Sequence, residues 1–164
     1  MPPRLLSVSQ KDFLGACSVM ELINGNDWKN YFSNIYDTRL ACDFLVNERG
    51  DSFVGELLDA ITKHKQDLQK QVKLCRSAQE GMTPSLSNRK LQAVLSSINA
   101  LDVFRGDLFQ ARVFCVTGKI RYSYWGFAAE AYEDAGRWEA AAYSRHEQLK
   151  CAETLGEAES CLEQ

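Results

Sequence analysis

The sequence predicts an all-α protein of stacked antiparallel helical hairpins, about seven or eight helices in all, and three observations predict it. Phe53, Leu57, Ile61, His64, Leu68, Val72 and Cys75 follow one another at spacings of 4, 4, 3, 4, 4 and 3. That rhythm has the period of a helix and cannot belong to a strand. Gly25, Gly50, Gly106 and Gly136 each close one helical pattern, and a polar residue within two positions opens the next. Only Arg112 to Val116 carries any strand character.

The elements follow in order. A first helix starts at Ser9, with Asp12 completing a weak capping box, and runs through Phe13, Leu14, Val19 and Leu22 to Asn24-Gly25. Asp27 caps a second with Trp28, Phe32, Ile35 and Tyr36. Asp37-Thr38 offers a break, and a third helix leads through Leu40, Cys42, Phe44, Leu45 and Val46 to Arg49-Gly50. Asp51 or Ser52 caps the longest helix, which ends near Gly81. A loop at 81–85, Gly-Met-Thr-Pro-Ser, divides an N-terminal half (9–80) from a C-terminal half (86–156) of a single domain spanning 1–164. Ser85 or Ser87 then caps a helix carrying Leu91, Val94, Leu95, Ile98, Leu101 and Phe104, which stops at Arg105-Gly106. Asp107 caps a short helix to Gly118, another spans Ile120 to Ala135, and a last one runs from Trp138 to about Thr154 and ends at Gly156.

Composition narrows the class. With 164 residues, 45% apolar and 25% charged, the chain can bury a substantial core without disulfides or metal. A net charge of −3 argues against a dedicated nucleic-acid binder, whose affinity comes from clustered Lys and Arg. No run approaches the 18 or so apolar residues of a membrane helix, and Met1 to Gln10 is too short in apolar residues for a signal peptide. The expected location is therefore intracellular, cytoplasmic or nuclear, with no membrane partner. Six widely spaced cysteines without a CxxC pair, and only His64 and His146, supply no zinc site; reduced cysteines in apolar surroundings fit better. No Gly-rich phosphate loop, HExxH, GxSxG or paired-carboxylate motif is present, so no catalytic residue and no cofactor is expected.

The glycine stops also repeat. Arg49-Gly50-Asp51-Ser52-Phe53-Val54-Gly55 overlays Arg105-Gly106-Asp107-Leu108-Phe109-Gln110-Ala111, and Gly136-Arg137-Trp138-Glu139-Ala140-Ala141 makes a further copy. Each reads as a glycine turn with a left-handed cap, an aromatic, and a small residue five positions on that lets two helices approach. Self-similar helix pairs of this kind are the mark of an α-solenoid. Trp125-Gly126-Phe127-Ala128-Ala129-Glu130-Ala131-Tyr132, followed by Gly136 to Ala141, resembles a tetratricopeptide repeat, matched best at residues 122–154 and in degenerate form elsewhere. The resemblance implies a non-catalytic module, an adaptor or complex subunit, that holds another protein's peptide or helix, or a second copy of itself. It implies groove-lining positions at Ser123, Gly126, Glu130, Glu133 and Asp134. The family's Lys- and Asn-rich carboxylate clamp is missing.

Other patterns have plainer readings. Arg49-Gly50-Asp51 and Arg105-Gly106-Asp107 spell an adhesion tripeptide, but a cation, a glycine and an acid are what a helix end followed by a helix start requires. His64 reads as a partly buried core histidine, and a Cys75–His64 nucleophile pair has no supporting motif. Lys119, Arg121 and Tyr122, beside Tyr124 and Trp125, interleave basic and aromatic groups. With Lys63, Lys65, Lys70, Lys73 and Arg76 on the long helix they give the alternative function, an RNA- or nucleic-acid-associated module. A small helical enzyme or ligand-binding bundle ranks third, and a deep pocket beside His64 would favour it.

Overall fold

The computed structural model describes residues 5–24, 35–78 and 84–163, and all regular structure among them is helical. Six α-helices are described: α1 (Val8–Ala16), α2 (Val19–Asn24), α3 (Ile35–Ala78), α4 (Pro84–Arg112), α5 (Gly118–Asp134) and α6 (Trp138–Glu163), with a 3-10 turn at Val113–Cys115 between α4 and α5. The expected helix at Asp27 to Tyr36 falls largely outside the described residues, as does Gly25.

The single helix expected from Ser9 to Asn24 is two. Ser7 caps α1: its side chain accepts from the Gln10 N–H while Gln10 Oε1 accepts from the Ser7 N–H at 2.8 Å. The capping box is Ser7–Gln10, two positions earlier than Ser9–Asp12. The break comes at Cys17, whose backbone is extended (ψ 152°). Arg49 Nη1 donates to the Leu14 carbonyl at 2.8 Å and supports this helix end from outside. Ser18 Oγ accepts from the Glu21 N–H and opens α2.

Among the described residues, the glycine breaks expected at Gly50, Gly118 (φ 62°, at the start of α5) and Gly136 are real, and those at Gly106 and Gly156 are not. At Gly50 the long α3 changes direction, with φ 81° and ψ 174°, so 35–49 and 51–78 are two helices joined without a loop. The break expected at Asp37-Thr38 is absent. Gly136 has φ 72° and closes α5 in a Schellman motif: its N–H donates to Glu133 O and the Arg137 N–H to Tyr132 O at 2.8 Å. Gly106, by contrast, lies inside the continuous α4, where a Cβ would stand 2.8 Å from the Tyr132 ring. This glycine serves close approach between helices, and a left-handed cap there is ruled out. Gly156 also lies inside a helix, α6, which continues to Glu163 because Glu and Ala follow it rather than a turn signal. Likewise α4 begins at Pro84, a residue suited to a first helical position, ahead of both expected serine caps.

Substantial packing joins consecutive helices: α3 on α4, α4 on α5, α5 on α6, with α1 and α2 laid on α3. The larger buried cluster extends from Leu14 to Ala111 and is centred on Leu45, Val54, Leu57, Ile61 and Leu108. A smaller one, Ala128, Tyr132 and Ala141, lies between α5 and α6, where small side chains bring the helices together. Phe109 packs against both. A charge network ties α3, α4 and α5: Lys65 Nζ sits 2.9 Å from Asp102 Oδ1 and 3.3 Å from Asp134 Oδ2, and Arg105 Nη2 reaches the same two oxygens. Asn99 Nδ2 donates to Ala135 O and anchors the turn at Gly136 to α4.

Candidate functional site

The open side of this stack, where Gly136 turns the chain from α5 into α6, holds a cleft of about 510 Å³. Its floor comes from Asp107 and Val103 on α4 and Tyr132 on α5; its rim from Arg39 on α3 and from Arg137 and Trp138 at the start of α6. Asp107 is the chemically unusual group. Its side chain is 1% exposed. The Tyr132 hydroxyl donates to its Oδ1 at 2.5 Å, while its Oδ2 has no hydrogen-bond partner. Arg39 Nε lies 3.8 Å from Oδ1, at the edge of an ion pair. Burial pushes the Asp107 carboxyl up to about 6, against the Tyr132 hydrogen bond and the charges of Arg39 and Arg137, which pull it down. The same burial, with the Asp107 charge beside it, raises the Tyr132 hydroxyl, and burial raises the thiol of neighbouring Cys42 as well. A buried carboxylate with one lone oxygen in a cleft can accept from a donor that the protein itself does not supply.

A second surface lies on the α5–α6 hairpin. Trp125 is buried, with Phe114 and Tyr143 edge-on at 6.2 and 5.8 Å between ring centroids. Those two flanking rings are themselves 71% and 50% exposed. A groove of about 230 Å³ opens beside Phe114 and Trp125, lined also by Arg121, Cys151 and Leu155 among others. Seven of the eleven large apolar side chains exposed among the described residues fall between residues 114 and 149.

The positions implied by the repeat resemblance follow one another at spacings of 3, 4, 3 and 1 along one face of α5. Ser123 and Glu130 are exposed. Gly126 lies beneath Gln148, whose Nε2 would be 2.5 Å from a Cβ there. Glu133 is paired with Arg145 at 2.9 Å on α6, and Asp134 with Lys65 and Arg105. Of the basic–aromatic set, Lys119 and Tyr122 are exposed, but Arg121 Nε donates to the Val113 and Val116 carbonyls at 2.9 and 2.8 Å and so fastens the 3-10 turn to α5. His64 and Cys75 share one straight helix eleven residues apart, about 16 Å along its axis, and cannot form a nucleophile pair. Of the two adhesion tripeptides, one spans the bend at Gly50 and the other lies inside α4 with its Asp107 buried.

Sequence reasoning missed the Asp107 cleft. Asp107 was read as a helix cap and Tyr132 as a repeat-family residue, and only the α4–α5 packing brings them together. The available signal was Gly106 directly before Asp107: a glycine inside a helical pattern marks close approach by another element. Among the described residues, no group of three or more His, Cys, Asp or Glu is placed to hold a metal ion, and no helix is long and apolar enough to cross a membrane. Comparison with protein-family models, with curated proteins and with solved structures finds no match to this chain.

Proposed function

We propose that this chain is a non-catalytic helical module that binds another protein on its α5–α6 hairpin, as an adaptor or a subunit of a larger complex, in the manner of a tetratricopeptide-like repeat. The observation that carries the reading is the concentration of exposed large apolar side chains there: Phe114, Ile120, Phe127, Trp138, Tyr143 and Leu149. Single exposed apolar residues are ordinary on any surface, but rings at 71% and 50% exposure on either side of a buried Trp125 expose apolar area that a partner would remove from water. Aromatic anchors around a groove are typical of interface centres. The Gly136 turn, the buried Ala129 and Ala141 and the neighbour-by-neighbour packing support the repeat-like part of the reading. The nucleic-acid alternative rests on Lys119 and Tyr122 more than on Arg121, whose Nε is already committed.

The experiment is a comparison of wild type with a Phe114→Ser/Tyr143→Ser/Leu149→Ser variant. Both are checked for helicity, then compared by sedimentation velocity and by affinity capture with mass spectrometry. The expected outcome is a reproducible bound protein, or a self-associated species, that the triple variant loses. A monomer that captures the same proteins with and without these side chains would overturn the reading, and salt-sensitive binding of single-stranded RNA would favour the alternative.

A further inference from the structure

We propose that the cleft at the start of α6 binds a small zwitterion carrying a carboxylate beside an ammonium, the chemical class of the free α-amino acids. The cleft shares Trp138 with the apolar hairpin surface but is otherwise lined by different residues, and its volume of about 510 Å³ falls in the usual range for small-molecule sites.

One wall is built of donors. The Ala141 N–H donates to Arg137 O at 2.9 Å, so the N–H groups of Trp138, Glu139 and Ala140 precede the first acceptor inside the helix. Arg137 stands where a Ser or Asp would normally cap these groups, and its side chain has no acceptor to offer them. A helix start of this kind attracts a carboxylate, and Arg137 and Arg39 line the same cleft.

The floor requires the opposite charge. Asp107 Oδ2 is buried without a partner while its Oδ1 is held by Tyr132. Arg39 Nε, 3.8 Å from Oδ1, does not reach hydrogen-bond range, and the Arg39 side chain is 45% exposed. It can therefore swing outward to an arriving carboxylate while the ligand's ammonium takes its place against Asp107. Asp43, close enough to act on Asp107, adds negative charge on the ammonium side. A plain anion would meet these carboxylates, and a plain cation would meet Arg39 and Arg137. A ligand with both charges a few ångströms apart meets neither repulsion. Trp138, 69% exposed, and Val103 leave apolar surface for the ligand's side chain, which favours leucine or phenylalanine over a polar amino acid.

The test is calorimetric titration of the full chain with L-leucine, N-acetyl-leucine and leucinamide, which remove neither charge, the ammonium, and the carboxylate respectively. L-leucine is expected to bind, and each capped form to bind about tenfold or more weakly. Asp107→Asn keeps an acceptor for Tyr132, so the fold is retained; it should weaken L-leucine by about tenfold while leaving N-acetyl-leucine unchanged. Arg137→Gln should weaken L-leucine and leave leucinamide unchanged. Absence of binding by any free amino acid up to about 10 mM overturns the proposal. So does N-acetyl-leucine binding as tightly as L-leucine, which would make this an oxyanion site alone, or leucinamide doing so, which would make it a cation site.

Discussion

Replacing Gly106 with Ala separates two opposing effects at one atom. Gly106 lies in the interior of α4, where the substitution alone should stabilise the helix by up to about 1 kcal/mol. The new methyl, however, would stand 2.8 Å from Tyr132 Cε1 and 2.9 Å from Cδ1, inside van der Waals contact with a ring that is 1% exposed. The ring cannot turn aside freely, because Asp107 and the small residues Ala128 and Ala141 hold it. Overpacking of this kind costs about 1–3 kcal/mol. Displacing the hydroxyl from Asp107 would add the cost of a charge-assisted hydrogen bond, about 1.5–3 kcal/mol. The net expectation is destabilisation by about 2 kcal/mol, a fall in Tm of roughly 4–8 °C for a chain of this length. Gly55→Ala is the control: it too is helical, and nothing lies within 4 Å of its Cβ position, so it should stabilise by up to about 1 kcal/mol. In a Tyr132→Leu background the Gly106→Ala penalty should shrink or reverse. Urea denaturation of the four variants measures both signs. If Gly106→Ala proved as stable as Gly55→Ala, the close approach of Tyr132 to α4 would be wrong.

Two of the three positive-φ glycines among the described residues, Gly50 and Gly136, should differ in cost. Gly50, at φ 81° and ψ 174°, occupies a region essentially closed to other residues, so Gly50→Ala should cost about 1–3 kcal/mol. Gly136→Ala, at φ 72° in a helix cap, should cost only about 1–2 kcal/mol; equal losses in denaturation would contradict the sharper strain at Gly50. Stability should also depend on pH through Asp107. Its carboxyl is raised from an ordinary 3.8 to about 6 in the folded chain, so between those values the folded state holds a proton that the unfolded state releases. Stability therefore falls as pH rises from about 4 to about 6, by at most about 3 kcal/mol, and the Asp107 contribution is flat above that. Asp107→Asn should remove this slope and be no less stable than wild type at pH 7.5; an unchanged slope would refute the assignment. Finally, Arg49 donates to the Leu14 carbonyl and lies 3.9 Å over the Phe53 ring, so Arg49→Ala should loosen α1 and α2 from α3. Faster amide exchange at residues 8–24, with a loss of about 1.5–3 kcal/mol, is the expected signature, and unchanged exchange there would refute it.

The helical character was legible because it is local. The spacing from Phe53 to Cys75 buries Leu57, Ile61, Leu68, Val72 and Cys75 on one face of α3, as a 3.6-residue period requires. Gly50 and Gly136 were legible for the same reason: each is followed by residues that start a helix well, and a positive φ is a property of one residue. Gly106 shares that local pattern, Arg-Gly-Asp included, yet is helical. Whether a glycine is there for its backbone freedom or for its missing Cβ depends on what lies opposite, and the residue opposite is Tyr132, 26 positions away.

The sequence by itself determined the period of the helices, the turn at Gly136, and the small residues that let α5 and α6 approach. Those follow from steric rules acting over a few neighbouring residues. Only the tertiary structure decided where the charges went. Asp107 could have been an exposed cap, and Asp134 an unpaired surface charge; packing buried the first beside Tyr132 and joined the second to Lys65 and Arg105. The physical reason is that a carboxylate's role depends on the dielectric and the donors around it, and here those come from α3, α5 and α6, far away in the chain.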